Sequence, residues 1–193
     1  MKFNIRRVIA FFLLIALSIG FGFAFDAVAT AIEKRNHPLD ERYQTEIEKN
    51  AKDFGIPESI LWSIVRSESD FVSNHVSETG EVGLMQLSPE QFAYICTNLL
   101  GKPEMSVGML YDPATNLRAG TAWISELYGR YGVWETVYAA YYAGTDTVDA
   151  WLRDPELVSA QGRLQNIPDD AVAEYVEKAA KSATLYQKLY YNN

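Results

Sequence analysis

The sequence predicts an all-α domain preceded by one N-terminal transmembrane helix. Three observations lead there. Beyond residue 43, apolar residues recur at three- and four-residue intervals between helix-starting and helix-ending signals; two-residue alternation is nearly absent; and residues 8–25 form an almost unbroken apolar run. With 193 residues, the chain has room for one domain plus an appendage.

The apolar run reaches the roughly 18 residues at which a helix begins to span a bilayer. Lys2, Arg6 and Arg7 precede it, so the positive-inside tendency keeps the N-terminus in the cytoplasm and exports the rest of the chain. Ala27-Val28-Ala29 has the small residues of a signal-peptide cleavage site, which would give a secreted form instead. Against cleavage, the run exceeds the roughly 7–15 residues of a signal core, and Asp26 crowds the site. A buried helix of a globular domain is disfavoured because no face of the run is polar. Residues 1–29 therefore read as a cytoplasmic stub and membrane anchor, the mixed, charged residues 30–42 as a tether, and residues 43–193 as the folded domain.

Within that domain, residues 43–54 form the first expected helix, closed by Gly55. Pro57, favoured in a first turn, opens the next, which runs through Ser69. Ser88-Pro89-Glu90-Gln91 has the form of a capping box and starts a third, ended by Gly101. Asp112-Pro113 caps a fourth that runs to about Arg130. Residues 133–143 and 148–152 are shorter helices separated by Gly144, and residues 169–190 make a long terminal one after Ile167-Pro168. Residues 71–83 fit neither period; their polar and glycine content marks a loop, where functional groups are often placed.

Composition narrows the chemistry. A chain with 48% apolar and 13% aromatic residues can bury a core. The formal charge is −8, and all 25 acidic residues lie beyond the basic N-terminus, so the exported part is more acidic still and nucleic acid is not an expected partner. Cys96 is the single cysteine, set in the helical pattern Phe92, Ile95, Cys96, Leu99, which suits a small core residue and excludes an intrachain disulfide. His37 and His75 lack ligand spacing, and no metal site is supported.

One residue breaks the apolar pattern. On the helix opened by Pro57 the inward stripe comprises Ile60, Leu61, Ile64 and Val65, and its next position is Glu68, while Glu58, Ser59, Arg66 and Asp70 lie on the opposite face. A carboxylate buried in partly apolar surroundings has its charged form disfavoured, and one still protonated near neutral pH can donate to a leaving oxygen. Pairing with an arginine, capping a neighbouring helix or emerging at the helix end would explain the same stripe.

Motifs around Glu68 occur in a fixed order: Val65-Arg66-Ser67-Glu68-Ser69, Ser77, Gly80-Glu81-Val82-Gly83-Leu84-Met85-Gln86, Ala139-Ala140-Tyr141-Tyr142-Ala143-Gly144, then Ile167-Pro168 with Tyr175-Val176. Together they resemble the soluble-lytic-transglycosylase (SLT) family with its goose-type lysozyme-like domain, over about residues 45–190. The resemblance implies a lysozyme-like helical fold and an enzyme acting on the glycan strands of peptidoglycan, which the apolar run would anchor to the membrane. Glu68 matches the family's one catalytic carboxylate, serving as acid and base, with 1,6-anhydromuramyl ends as product and no cofactor. Cell-wall synthesis or remodelling proteins would be further partners.

The same resemblance implies that Ser77 helps orient the substrate's N-acetyl group, that Gln86 and Met85 form a cleft wall, and that Tyr141, Tyr142 and Tyr175 line the groove. An ordinary loop serine for Ser77, and core packing for Met85, Tyr141 and Tyr175, are the alternatives. Trp62, Trp123, Trp134 and Trp151 lie in apolar helical patterns and are expected in the core. Asp70, Glu78 and Glu81 are the acids nearest Glu68 in sequence, and none is an obvious second catalytic carboxylate, since Asp70 points from the opposite helix face and the others lie in a loop. Three positions depart from the family pattern: Tyr142 stands at an asparagine position, Ala171-Val172 where Glu-Thr is usual, and Glu81 at a small-residue position. Each lost polar group weakens the expected cleft, so a lysozyme-like hydrolase and a glycan-binding module without turnover remain as competing functions.

Overall fold

Helix α1, Ile5–Asn36, continues through Lys34 and Arg35 in its last turn, where cations suit the negative end of the helix dipole. The computed structural model describes the backbone of residues 5–191 and the side chains of residues 14, 15 and 17–191. It divides into two units, Met1–Pro38 and Leu39–Asn193. Among the described residues no helix is long and apolar enough to cross a membrane. The transmembrane helix expected over residues 8–25 is thus not recovered there, because the side chains of residues 8–13 and 16 lie outside the described residues.

The second unit is all-helical, with no strand among the described residues: α2 (Gln44–Phe54), α3 (Glu58–Ser69), α4 (Pro89–Tyr94), α5 (Pro113–Tyr131), α6 (Trp134–Ala143), α7 (Thr145–Leu152) and α8 (Asp170–Tyr186). Short π turns extend α4 over Ile95–Leu99 and α8 over Gln187–Tyr191, and a 3-10 turn that the residue pattern does not signal covers Val107–Tyr111. The caps obey local chemistry. Ser88 and Asp112 accept the free N–H groups of Gln91 and Thr115, each with proline in the first turn, and Asp169 accepts from Ala171 and Val172. Gly55 and Gly132 close α2 and α5 in the left-handed conformation.

Helix α3 packs against α8 and α2, α8 and α5 in turn cover α6, and α2 covers α5. Leu61, Trp62, Ile64 and Val65 are wholly buried. Ser59, expected on a solvent face, is buried as well and donates to Gln187 Oε1 at 3.0 Å, because the C-terminal turn closes over that side. Trp62, a core residue as expected, donates its indole N–H to the Tyr191 hydroxyl at 2.9 Å, which donates to Glu58 at 2.8 Å. A helix buried on most sides can hold a polar terminal residue in one place, and Glu68 sits one residue before the end of α3.

Helix α3 leads into a loop pinned at several points. Asp70 and Phe71 both adopt left-handed backbone, turning the chain sharply back over the helix end. Single bridges pair Val76 with Val82 and Val82 with Leu87. Ser69 donates to the Leu84 carbonyl at 2.9 Å, and the buried Asn116 of α5 accepts from Met85 N–H at 2.9 Å while donating to the carbonyls of Val82 and Leu110. At Gly83, with φ of 88°, a Cβ would lie 2.2 Å from the Asn116 amide, so the loop reaches this anchor only without a side chain.

Candidate active site

A cleft of about 820 Å³ opens at the end of α3, between the loop after it, the α6–α7 corner and α8. Glu68, Ser77, Gln86, Tyr141, Tyr142 and Tyr175 all line it. The other five are separated from Glu68 by enough sequence that only the folded chain gathers them. Met85 is the exception among the expected groove residues. Its side chain is fully buried, and its sulfur occupies the space where a Cβ on Gly120 would stand, so the methionine fills the core under the loop.

Glu68 is held by α8. The Tyr175 hydroxyl donates to Glu68 Oε1, and the Tyr175 ring stacks on Tyr142 with centroids 4.6 Å apart. Tyr142 is exposed, so where a hydrogen-bonding amide was expected a flat ring covers the residue that positions Glu68. Tyr141 donates to the Met85 carbonyl at 2.6 Å, tying α6 to the loop. Burial raises both tyrosines well above the ordinary phenol value, so each remains a donor.

Burial pushes the Glu68 carboxyl up to about 7. The Tyr175 hydrogen bond opposes that rise, the Glu81 charge adds to it, and Lys178 offsets part of it. A carboxyl poised there can give a proton to a departing oxygen and afterwards accept one, which is the pairing of roles general acid–base catalysis requires.

Ser77 and Gln86 both line the cleft, but their hydrogen bonds differ. The Ser77 hydroxyl donates to Glu81 Oε2 and accepts from the N–H groups of Gly80 and Glu81, so it is engaged within its own turn. Gln86, in left-handed backbone, donates from its amide to the carbonyls of Gly83 and His75 at 2.7 and 3.2 Å, which leaves its side-chain oxygen available to a ligand. Ala171 is exposed and its N–H caps α8 on Asp169; it is not part of the cleft wall.

Three residues take places that the sequence pattern did not assign to them. Glu81 lines the cleft with Glu68, and the signal was there, since an acid occupies a small-residue position inside a loop motif. Trp123, expected in the core, is a partly buried cleft wall packed edge-on to Tyr94 at 6.0 Å; its indole N–H is buried with no partner among the described residues. Ser69, beside Glu68, serves the loop rather than the cleft, which no local pattern reveals. Among the described residues no three His, Cys, Asp or Glu side chains converge to hold a metal.

Residues 45–161 match the family described as Transglycosylase SLT domain. Among similar curated proteins, Membrane-bound lytic murein transglycosylase C of Haemophilus ducreyi is 30% identical over 151 residues, covering 73% of this chain and 41% of that protein. Its Yersinia enterocolitica counterpart is 32% identical over 105 residues, covering 54% of this chain and 28% of that protein. The chain thus spans less than half the length of these relatives. Among solved structures, the 70 kDa soluble lytic transglycosylase of Escherichia coli superposes with a TM-score of 0.74 at 26% identity, covering 83% of this chain and 26% of that one. An inactive glutamate-to-glutamine mutant of lytic transglycosylase Slt from Pseudomonas aeruginosa gives 0.70 at 30% identity, covering 81% and 25%.

Proposed function

Because this chain belongs to the transglycosylase SLT domain family, we propose that it is a lytic transglycosylase of peptidoglycan in which Glu68 is both acid and base. The observation that carries this reading is a protonatable carboxyl, raised to about 7 by burial, held by Tyr175 in an open cleft. Glu68 gives its proton to the oxygen bridging N-acetylmuramic acid and N-acetylglucosamine, and the bond from that oxygen to the muramyl C1 breaks. The Glu68 carboxylate then takes the proton of the same sugar's 6-hydroxyl, whose oxygen bonds to C1. The products are a free N-acetylglucosamine 4-hydroxyl and a 1,6-anhydromuramyl end, and no water is consumed. The Pseudomonas relative, inactive after one glutamate-to-glutamine change, is consistent with chemistry resting on one carboxylate.

Mass spectrometry of fragments released from purified sacculi tests the reaction type. Anhydromuramyl ends are expected; reducing muramic acid ends alone would make the protein a hydrolase, a second reading favoured by the presence of Glu81 in the cleft.

We further propose that α1 anchors the chain in the cell membrane, with the cleft on the outer side. The run over residues 8–25 is almost unbrokenly apolar, and Leu17, Phe21, Phe23 and Phe25 are exposed, which suits a lipid surround. The full chain should stay with the membrane pellet through alkaline carbonate washing and leave it only in detergent. Release by carbonate, or a mature protein beginning after Ala29, would replace the anchor with a cleaved signal peptide.

A further inference from the structure

We propose that Glu81, held by the hydroxyls of its own turn, is a second carboxylate of the cleft, acting on Glu68 and on the cationic sugar centre that forms beside it. The inference rests on the transglycosylase reading for its chemistry, but its physical basis is separate. Residues 77–81 make a turn closed by Ser77 N–H to the Glu81 carbonyl at 2.9 Å and Gly80 N–H to the Ser77 carbonyl at 3.2 Å. Inside it, Glu81 Oε2 accepts from two hydroxyls, those of Ser77 and Thr79, an arrangement suited to a carboxylate anion. Neither hydroxyl engages the other oxygen, Oε1.

Among the described residues no lysine or arginine lines this cleft. Around Glu68 the charged or titratable groups are Tyr175 and Lys178 of α8, Tyr141 of α6, and Glu81; His75 stands on the loop at the cleft edge. The hydroxyl bonds hold Glu81 below the ordinary carboxylate range, while its charge raises Glu68. The pair is thereby split into one anion and one acid, the division that lets two carboxyl groups in one site take different roles. When Glu68 gives up its proton and the bond to C1 breaks, positive charge develops on the sugar ring, and a fixed anion lining the same cleft lowers the energy of that centre. Glu81 itself neither gains nor loses a proton. It also explains why Ser77 is occupied: the serine positions Glu81, and an N-acetyl group must look elsewhere or displace that bond.

Glu81→Gln tests this, because the amide oxygen can still accept from both hydroxyls while the charge is gone. In the full chain with 13C-labelled glutamate, the Glu68 carboxyl resonance, assigned through Glu68→Gln, should titrate at lower pH in Glu81→Gln than in wild type. The alkaline limb of activity on sacculi should move the same way, by about half to one pH unit, or roughly three- to tenfold less turnover above the limb. Glu81→Asp, which keeps the charge, should restore most of the wild-type limb. An unmoved Glu68 titration overturns the inference whatever the rate does, as does a loss of activity in Glu81→Gln with an unmoved limb, which would reduce Glu81 to a turn-former. A shifted Glu68 titration in Glu81→Gln, beside a wild type that releases no fragments, would instead sink the transglycosylase reading and leave the electrostatic coupling standing.

Discussion

Glu68→Gln is expected to lower release of soluble fragments from sacculi by on the order of 10³-fold or more, since it removes the proton donor and the later acceptor at once. The substitution is conservative in every other respect. Glutamine has the same length and keeps an oxygen to accept from Tyr175, so the cleft and its affinity for glycan strands should persist. Rates are read as released fragments and affinity as co-sedimentation with sacculi. A variant retaining more than about a tenth of wild-type turnover would remove Glu68 from the chemistry, because positioned acid–base groups contribute at least about 10²-fold. A wild type as inert as the variant, yet still bound to sacculi, would identify the domain as a glycan-binding module.

The same substitution should stabilise the fold in a pH-dependent way. The Glu68 carboxyl titrates at about 7 in the folded chain against an ordinary value of 4.5. Between these pH values the folded state binds more protons at this position than the unfolded state, so stability declines as pH rises through that window. The stabilisation from keeping Glu68 protonated is fully present below about 4.5 and lost above about 7, a change of up to about 3 kcal/mol. Glutamine does not titrate. Urea unfolding should therefore find Glu68→Gln and wild type separated by a constant offset below pH 4.5, with the variant gaining on wild type up to about pH 7 and by no more beyond it. A difference that is flat with pH would mean the carboxyl is not held as an acid by burial. The result would also locate a cost of the proposed function, because the burial that would make Glu68 an acid near neutral pH is what would make the folded protein less stable there.

Much of the helical framework was legible in the chain. Ser88 and Asp112 start α4 and α5 through side-chain bonds to nearby N–H groups, and Gly55 ends α2. These contacts span only a few residues, so the local sequence contains all the partners needed. The π turns at Ile95–Leu99 and Gln187–Tyr191 were not legible, since they carry the same residue types as the helices they extend. Glu68 stood out because the apolar stripe of α3 asked for a hydrophobic side chain. Its partner Tyr175 lies 107 residues away on α8, and nothing in the spacing of either helix places one against the other.

The loop shows the division most sharply. Its composition announced irregular backbone and its motif announced a cleft, but Met85 and Gln86, adjacent in that motif, went opposite ways, one into the core against Gly120 and the other to the cleft wall. Left-handed backbone at Gln86 and the clamp by Asn116 made that choice, and both depend on α5 lying beneath the loop. Helix ends, the apolar faces and the odd carboxylate arise from chemistry within a turn or two of chain. Which groups meet in the cleft, that Ser77 spends its hydroxyl on Glu81, and that Glu68 is an acid near neutral pH arise from burial and long-range packing, because desolvation and charge coupling exist only once α3, α6, α8 and the loop enclose the same space.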